Sequence, residues 1–229
     1  MRVVIAGGHG KIALRLERVL AGRGDHAVGL VRNPDHVPDL RETGADAELI
    51  DLESSTAGDL AERLAGVDAV VFAAGAGPGS SAARKDTVDR GAAVLLADAA
   101  VTAGVPRYLL ISSTGVDRPP APGTDEVWAA YLRAKKAAEV EVAERDIALT
   151  VLRPGRLTDD PGTGLVQLAP PGLPRGDVTR DDVAEVVAGL LAEPAVWANR
   201  KGPVLDLLNG DTPVTEAIAS VLSSGGSRS

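Results

Sequence analysis

Tyr131 and Lys135 stand four residues apart in the stretch Tyr-Leu-Arg-Ala-Lys, inside a charged, amphipathic run from Asp125 to Arg145 that reads as a helix. At that spacing a phenol and an ammonium share one helix face and can enter one pocket. A phenol ordinarily titrates at about pH 10, and positive charge beside it brings proton exchange within reach of neutrality. Alone, the spacing reads as a packed tyrosine and a solvated lysine. Ser112, Ser113 and Thr114 alter that balance, because they follow the apolar run Arg107 to Ser112 directly. Hydroxyls at the carboxyl end of such a strand lie where open α/β sheets bind their ligands.

A second constellation is VVIAGGHGKIA, Val3 to Ala13. Apolar strand residues run into Gly7, Gly8 and Gly10, and the sequence continues as a helix from Lys11. Gly7 permits the tight reversal, Gly10 leaves room for a pyrophosphate to approach the backbone, and Ala13 lets the helix lie close on the strand. The phosphates then meet the unpaired N–H groups and positive end of that helix. His9 sits inside the turn, where it can touch a phosphate, although a surface-loop histidine is the commoner use.

The elements that must hold these residues alternate. After the first helix (about Gly10 to Ala21), strands are expected at His26 to Arg32, Asp46 to Asp51, Asp68 to Ala74, Arg107 to Ser112 and Ala148 to Arg153. Helices are expected near Leu64, from Ser81 to Ala103 ending at Gly104, from Asp125 to Arg145 and from Arg180 to Ala192, with a last strand near Pro203 to Leu208 and a short helix after Thr212. Wholly apolar runs such as DAVVFAA suit strands buried on both faces. Alternation from a glycine turn predicts an α/β, Rossmann-type doubly wound parallel sheet with helices on both faces. The stretches Gly115 to Asp125 and Arg156 to Val178, rich in proline and glycine, read as long loops flanking a substrate.

With 229 residues, 45% of them hydrophobic, the chain can bury one sizeable core. One domain over 1–222 with a polar tail at 223–229 is expected. The net charge of −8 argues against a nucleic-acid or acidic-membrane partner. The lack of cysteine excludes disulfides and a thiol nucleophile. No apolar run is long enough to span a membrane, and no signal segment precedes the first strand, so a cytoplasmic protein acting on a small molecule is expected, monomer or dimer.

Dinucleotide folds that prefer NAD place an acidic residue at the end of the second strand, roughly 20 residues past the glycines, whereas arginine there suits the 2′-phosphate of NADP. Here Arg32 ends the strand with no acidic residue beside it, and Asp35 close behind keeps NAD open. Histidines 26 and 36 have no partner at metal-ligand spacing, so no metal is expected. The Arg180-Asp181-Asp182 cluster reads as helix capping. Trp128, one turn before Tyr131, either lines a pocket or packs.

At this point the chain resembles the atypical, single-domain branch of the short-chain dehydrogenase/reductase superfamily, which includes NAD(P)H-binding, flavin or biliverdin reductase-like and NmrA-like members. The likeness rests on GGHGKIA (Gly7 to Ala13), LVRNP (Leu30 to Pro34), Asp51-Leu52, AAGAG (Ala73 to Gly77), AGVPRYLLISS (Ala103 to Ser113), Tyr131 with Lys135, VLRPGRLTDDPGTG (Val151 to Gly164) and TRDDVA (Thr179 to Ala184). The resemblance implies a phosphate site at Gly7, Gly8, His9, Gly10, Lys11 and Ile12, with Asp51 near the adenine and Gly75 lining the cleft. Leu52, Ala74 and Ser112 are counted with the cofactor residues. Ser113 is the implied catalytic serine, or Thr114 if the register slips. Tyr131 is the implied acid/base, Lys135 its partner and that of the ribose, and Arg153-Pro154-Gly155 the wall near the nicotinamide. Ala73-Ala74-Gly75-Ala76 stands where many relatives have Asn-Asn-Ala-Gly, removing an asparagine from the proton relay. The expected activity is hydride transfer between NADP(H), or NAD(H), and a small carbonyl, quinone or flavin-like substrate. A non-catalytic, dinucleotide-binding redox sensor is the alternative.

Overall fold

The structure, a computed structural model, describes residues 1–77, 79–120 and 123–225. The chain runs β1 (Arg2–Ala6), α1 (Lys11–Gly22), β2 (His26–Val31), α2 (Val37–Glu42), β3 (Asp46–Leu49), α3 (Ala57–Arg63), β4 (Ala69–Phe72) and α4 (Ala82–Arg84). A π-helical segment, Lys85–Gly91, leads into α5 (Ala92–Ala103), then β5 (Arg107–Ile111), α6 (Glu126–Ala143), β6 (Ala148–Pro154), β7 (Arg156–Thr158), β8 (Leu165–Ala169) and β9 (Asp177–Thr179). The last elements are α7 (Arg180–Ala192), β10 (Lys201–Asn209), β11 (Thr212–Pro213) and α8 (Val214–Gly225).

Nine strands form one sheet in the order β11-β8-β10-β6-β5-β4-β1-β2-β3, and β7 pairs with β9 apart from it. From β3 to β10 all neighbours are parallel. Along β1 the side chains alternate between two cores. Val3 and Ile5 pack with Leu16 and Leu20 of α1 and with α7, while Val4 and Ala6 pack with Leu60 of α3 and with α5 and α6. This two-sided burial is what the unbroken apolar runs require. The chain turns outward from β1 towards β3, then restarts at β4 on the other side. The crevice between β1 and β4 is therefore the switch point where such sheets bind ligands.

Three expectations need correction. The sheet is not wholly parallel: β8 runs antiparallel to β10, and β11 antiparallel to β8. Arg156 to Val178 is not a plain loop but holds β7, β8 and β9, of which β8 alternates exposed and buried residues over only five positions between proline- and glycine-rich flanks. The last helix continues through Ser223 to Gly225, so the expected tail is shorter at its start, and 226–229 lie outside the described residues. α2 was also not foreseen, being six residues long, with no side-chain cap of its own, after the turn Pro34–His36 that Asn33 caps.

α1 carries an acid into the interior. Glu17 is fully buried, accepts from the Thr43 hydroxyl at 3.0 Å, and is pushed up to about 8 by burial, outweighing Thr43 and Arg18. Burial thus favours its protonated form. No helix among the described residues is long and apolar enough to cross a membrane.

Candidate functional site

The turn after β1 is built on three glycines with different duties. Gly7 has φ +81°, and a Cβ there would lie 2.7 Å from Ala74 Cα. A Cβ on Gly8 would lie 2.6 Å from Gly29 Cα, so the turn is wedged against β2. Gly10 has φ −69° and, having no side chain, supplies no cap acceptor to the N–H groups of α1, whose first turn carries no acidic residue. By contrast Thr56, Asp125 and Thr179 cap α3, α6 and α7. An uncapped helix start facing the switch point, on a glycine turn, offers its free N–H groups and dipole to a phosphate. Lys11 and Ile12 do not turn their side chains to this place. The Lys11 ammonium meets Asp159 at 2.6 Å, and Ile12 packs on the core.

A cleft of about 360 Å³ extends from the turn, lined by Gly7, His9 and Gly10, and beyond them by Arg32, Asp51 and Leu52. Ala74 and Gly75 line it as well. His9 stacks on His36, ring centres 3.6 Å apart, and its Nε2 lies 2.6 Å from Asp39. His26, outside the cleft, lies 2.7 Å from Asp46. Arg32 does have an acidic neighbour, contrary to the sequence expectation. Glu53, arriving from the loop after β3, lies 3.2 Å from its guanidinium. Arg84 donates to the same carboxylate at 2.8 Å. Neither Glu53 nor Arg84 was picked out from sequence, since both contacts span loops far apart along the chain.

At the other end of the crevice, Lys135 is nearly inaccessible. Its ammonium donates to the carbonyl of Ile111 at 3.1 Å and of Ala74 at 3.5 Å, and pairs with the buried Asp89 at 3.3 Å. The π-helical segment brings Asp89 there. It turns Lys85, Val88 and Asp89 inward, at the i, i+3 and i+4 spacing that shares one helix face. Asp89 also accepts from the Ala76 N–H at 3.2 Å, while Gly75 admits it closely, a Cβ there lying 3.1 Å from its Oδ1. Tyr131 is half-buried and stacked on the half-exposed Trp128 at 5.0 Å. Two ammoniums flank its ring, Lys85 at 5.5 Å and Lys135 at 5.9 Å from the centroid. Lys85 is itself buried and donates to the Gly77 carbonyl at 2.9 Å.

Ser112 and Ser113 follow Ile111, whose carbonyl holds Lys135, so both lie at this end of the sheet. Among the described residues, the Ser112 hydroxyl is buried without a partner, whereas the Ser113 hydroxyl donates to the Thr114 carbonyl at 3.3 Å. Thr114 is held by its backbone to the Pro154 carbonyl at 3.0 Å. Arg153 departs from the expectation. Its guanidinium is buried and engaged by Glu139 and Asp117. Gly155 does serve close packing, since a Cβ there would lie 2.3 Å from the Gly176 carbonyl. The Asp182 carboxylate accepts from the hydroxyl of Thr179, the cap of α7, and also from the Thr163 and Gly164 N–H groups, pinning the neighbouring loop.

The Asp89–Lys135 pair has a testable energetic signature. Asp89→Ala leaves a buried ammonium uncompensated and is expected to cost about 3 kcal/mol or more, while the double change to Leu and Met, removing both charges, costs much less. Urea denaturation of the three proteins checks it; a near-neutral single variant would show that the pair is not holding the site.

Residues 7–194 match the sequence pattern of the NAD(P)H-binding family, and the chain belongs to that family. The likeness to the atypical short-chain dehydrogenase/reductases stands with it. Over 219 residues the chain is 33% identical to an uncharacterized sugar epimerase, YhfK, of Bacillus subtilis, covering 95% of this chain and 99% of that one. A solved structure from Bacillus halodurans, assigned provisionally as an NAD-dependent epimerase/dehydratase, superposes with a TM-score of 0.87 at 33% identity, covering 96% of this chain and 99% of that one. At the level of the fold alone, a short-chain dehydrogenase/reductase of Veillonella parvula in complex with NADP superposes with a TM-score of 0.71 at 18% identity, covering 93% of this chain and 98% of that one.

Proposed function

We propose that this member of the family is an NADP-dependent oxidoreductase acting on a small carbonyl, quinone or flavin-like molecule. The observation that carries the reading is the position of Lys135. Its ammonium bonds to the Ala74 carbonyl, at the edge of the dinucleotide cleft, while its helix presents Tyr131 to the same end of the sheet. When bound, the dinucleotide supplies or accepts hydride at nicotinamide C4. The chain's part is to hold and orient. Gly7, Gly8, Gly10 and the open start of α1 receive the pyrophosphate. Tyr131 donates a proton to the substrate oxygen in reduction, or accepts it in oxidation, at its phenol oxygen. Ser113 donates to the same oxygen. Lys135, fixed by Asp89 and the Ile111 carbonyl, stands beside the phenol ring and exchanges its long contact with the Ala74 carbonyl for the ribose. The substrate enters between the stretches after β5 and after β6. Trp128 offers a ring on which it can stack.

The NADP preference is supported by Arg32 and Arg84 converging in the cleft and by the NADP in the Veillonella neighbour. Arg32→Ala is expected to weaken NADPH roughly tenfold or more, about 1.4 kcal/mol, by removing one charge-assisted bond, with NADH little changed. Calorimetric titration decides it. Equal losses for the two cofactors would remove the preference.

One observation favours a second reading, a dinucleotide-binding sensor that catalyses nothing. Asp89 neutralises Lys135, and the asparagine of many relatives is lacking, so less positive charge is left to activate the phenol. A panel of carbonyl, quinone and flavin substrates with NADPH separates the two. Turnover on any of them supports the enzyme; binding with no turnover across the panel supports the sensor.

A further inference from the structure

Three side chains from two separate parts of the chain, Arg32 after β2 and Arg84 with Thr87 on one helical stretch, meet on one carboxylate inside the dinucleotide cleft. Glu53 accepts from Arg32 at 3.2 Å, from Arg84 at 2.8 Å and from the Thr87 hydroxyl at 3.1 Å. Arg32, Arg84 and Glu53 all line the cleft. Two guanidiniums and a hydroxyl aimed at one point form a donor set that suits a phosphate as well as a carboxylate. The hydrogen bond from Arg84 holds the Glu53 carboxyl below its ordinary range, Thr87 and Arg32 adding to it against a smaller opposing effect of burial. The seat therefore carries a full negative charge at neutral pH. The backbone around it is fixed: the Glu53 N–H donates to Asp51 Oδ1 at 3.0 Å, and the Ser55 hydroxyl to the Asp51 carbonyl at 2.7 Å. Only the Glu53 side chain need rotate for the seat to open.

We propose that Glu53 is an internal placeholder for the 2′-phosphate of NADP, seated between Arg32 and Arg84 in the free protein and displaced when that phosphate enters. The proposal rests on the dinucleotide reading above. Two anions cannot share the seat, so NADP must give up part of the attraction of the arginines to expel the carboxylate. A dinucleotide with a free 2′-hydroxyl leaves Glu53 in place, where the carboxylate can accept from the ribose. Glu53 thereby lowers the discrimination that Arg32 and Arg84 would otherwise impose, and it is the residue that sets the ratio of the two cofactors.

The test titrates the parent protein, Glu53→Gln and Glu53→Ala calorimetrically with NADPH, NADH, 2′,5′-ADP and ADP. In both variants NADPH and 2′,5′-ADP are expected to bind about tenfold more tightly, with NADH and ADP unchanged or slightly weaker. Unchanged or weaker NADPH binding in variants that fold normally by circular dichroism would overturn the placeholder while leaving the dinucleotide reading intact. A loss shared equally by all four ligands would also overturn it, by showing that Glu53 only braces the loop. A parent that binds none of the four would overturn the dinucleotide reading and the proposal with it.

Discussion

Tyr131→Phe is expected to lower turnover at least about a hundredfold, the scale of a positioned acid/base group, while cofactor affinity stays nearly unchanged. The ring is held independently of its hydroxyl. Trp128 stacks on one side, and Lys85 and Lys135 stand at 5.5 and 5.9 Å from its centre, contacts that phenylalanine keeps in large part. The substitution therefore removes the proton and little else. Lys135→Ala should behave differently, damaging turnover, cofactor binding and stability together, because it also leaves the buried Asp89 without its partner. The measurement is steady-state kinetics in both directions on whichever substrate of the panel responds. Unchanged turnover in Tyr131→Phe on such a substrate would remove Tyr131 from the reaction.

What could be read from the sequence was whatever depends on short range. Gly7, Gly10 and Ala13 announce their turn within one stretch, and α7 matches its expected span because Thr179 and Asp182 form a local cap. Ser112 and Ser113 with Tyr131 and Lys135 could be grouped because each stands at a recognisable element end or helical spacing. What escaped was decided by contacts distant along the chain. Glu53 finds Arg32 and Arg84 only after three elements have packed. Asp89 meets Lys135 across two separate elements, and nothing in the residue types Lys85 to Gly91 marks it as a buried partner of α6 and not part of a charged, solvated helix face. Arg153 erred in the opposite sense. Its place beside Pro154 and Gly155 is as expected, but Glu139 and Asp117 claim its guanidinium. The short β8 was hidden by its flanks, its two buried residues, Val166 and Leu168, being too few to reveal alternation.

Gly10→Val is expected to reduce the affinity for NADPH and NADH alike by about a hundredfold or more in a protein that still folds. The three glycines of the turn are not equivalent, and the argument depends on the difference. Gly7 adopts φ +81°, and Gly8 touches the Gly29 backbone, so a side chain at either position breaks the packing of the turn itself. Gly10 has φ −69° and ψ 149°, a conformation that valine adopts readily. The nearest neighbour of its Cβ would be the Gly7 carbonyl at 3.0 Å, which needs a shift of only a few tenths of an ångström. The backbone conformation at this position therefore does not bar valine. The cost to the ligand is large, because Gly10 lines the cleft where the uncapped start of α1 faces the phosphates, and branched methyls there keep the pyrophosphate from the helix N–H groups. The pyrophosphate is common to both cofactors, so this loss must be shared, in contrast to the selective loss in Arg32→Ala. Circular dichroism and urea titration establish folding, and calorimetry with both cofactors reads the effect. A folded variant that binds either dinucleotide with parental affinity would show that this turn is an ordinary strand-to-helix connection.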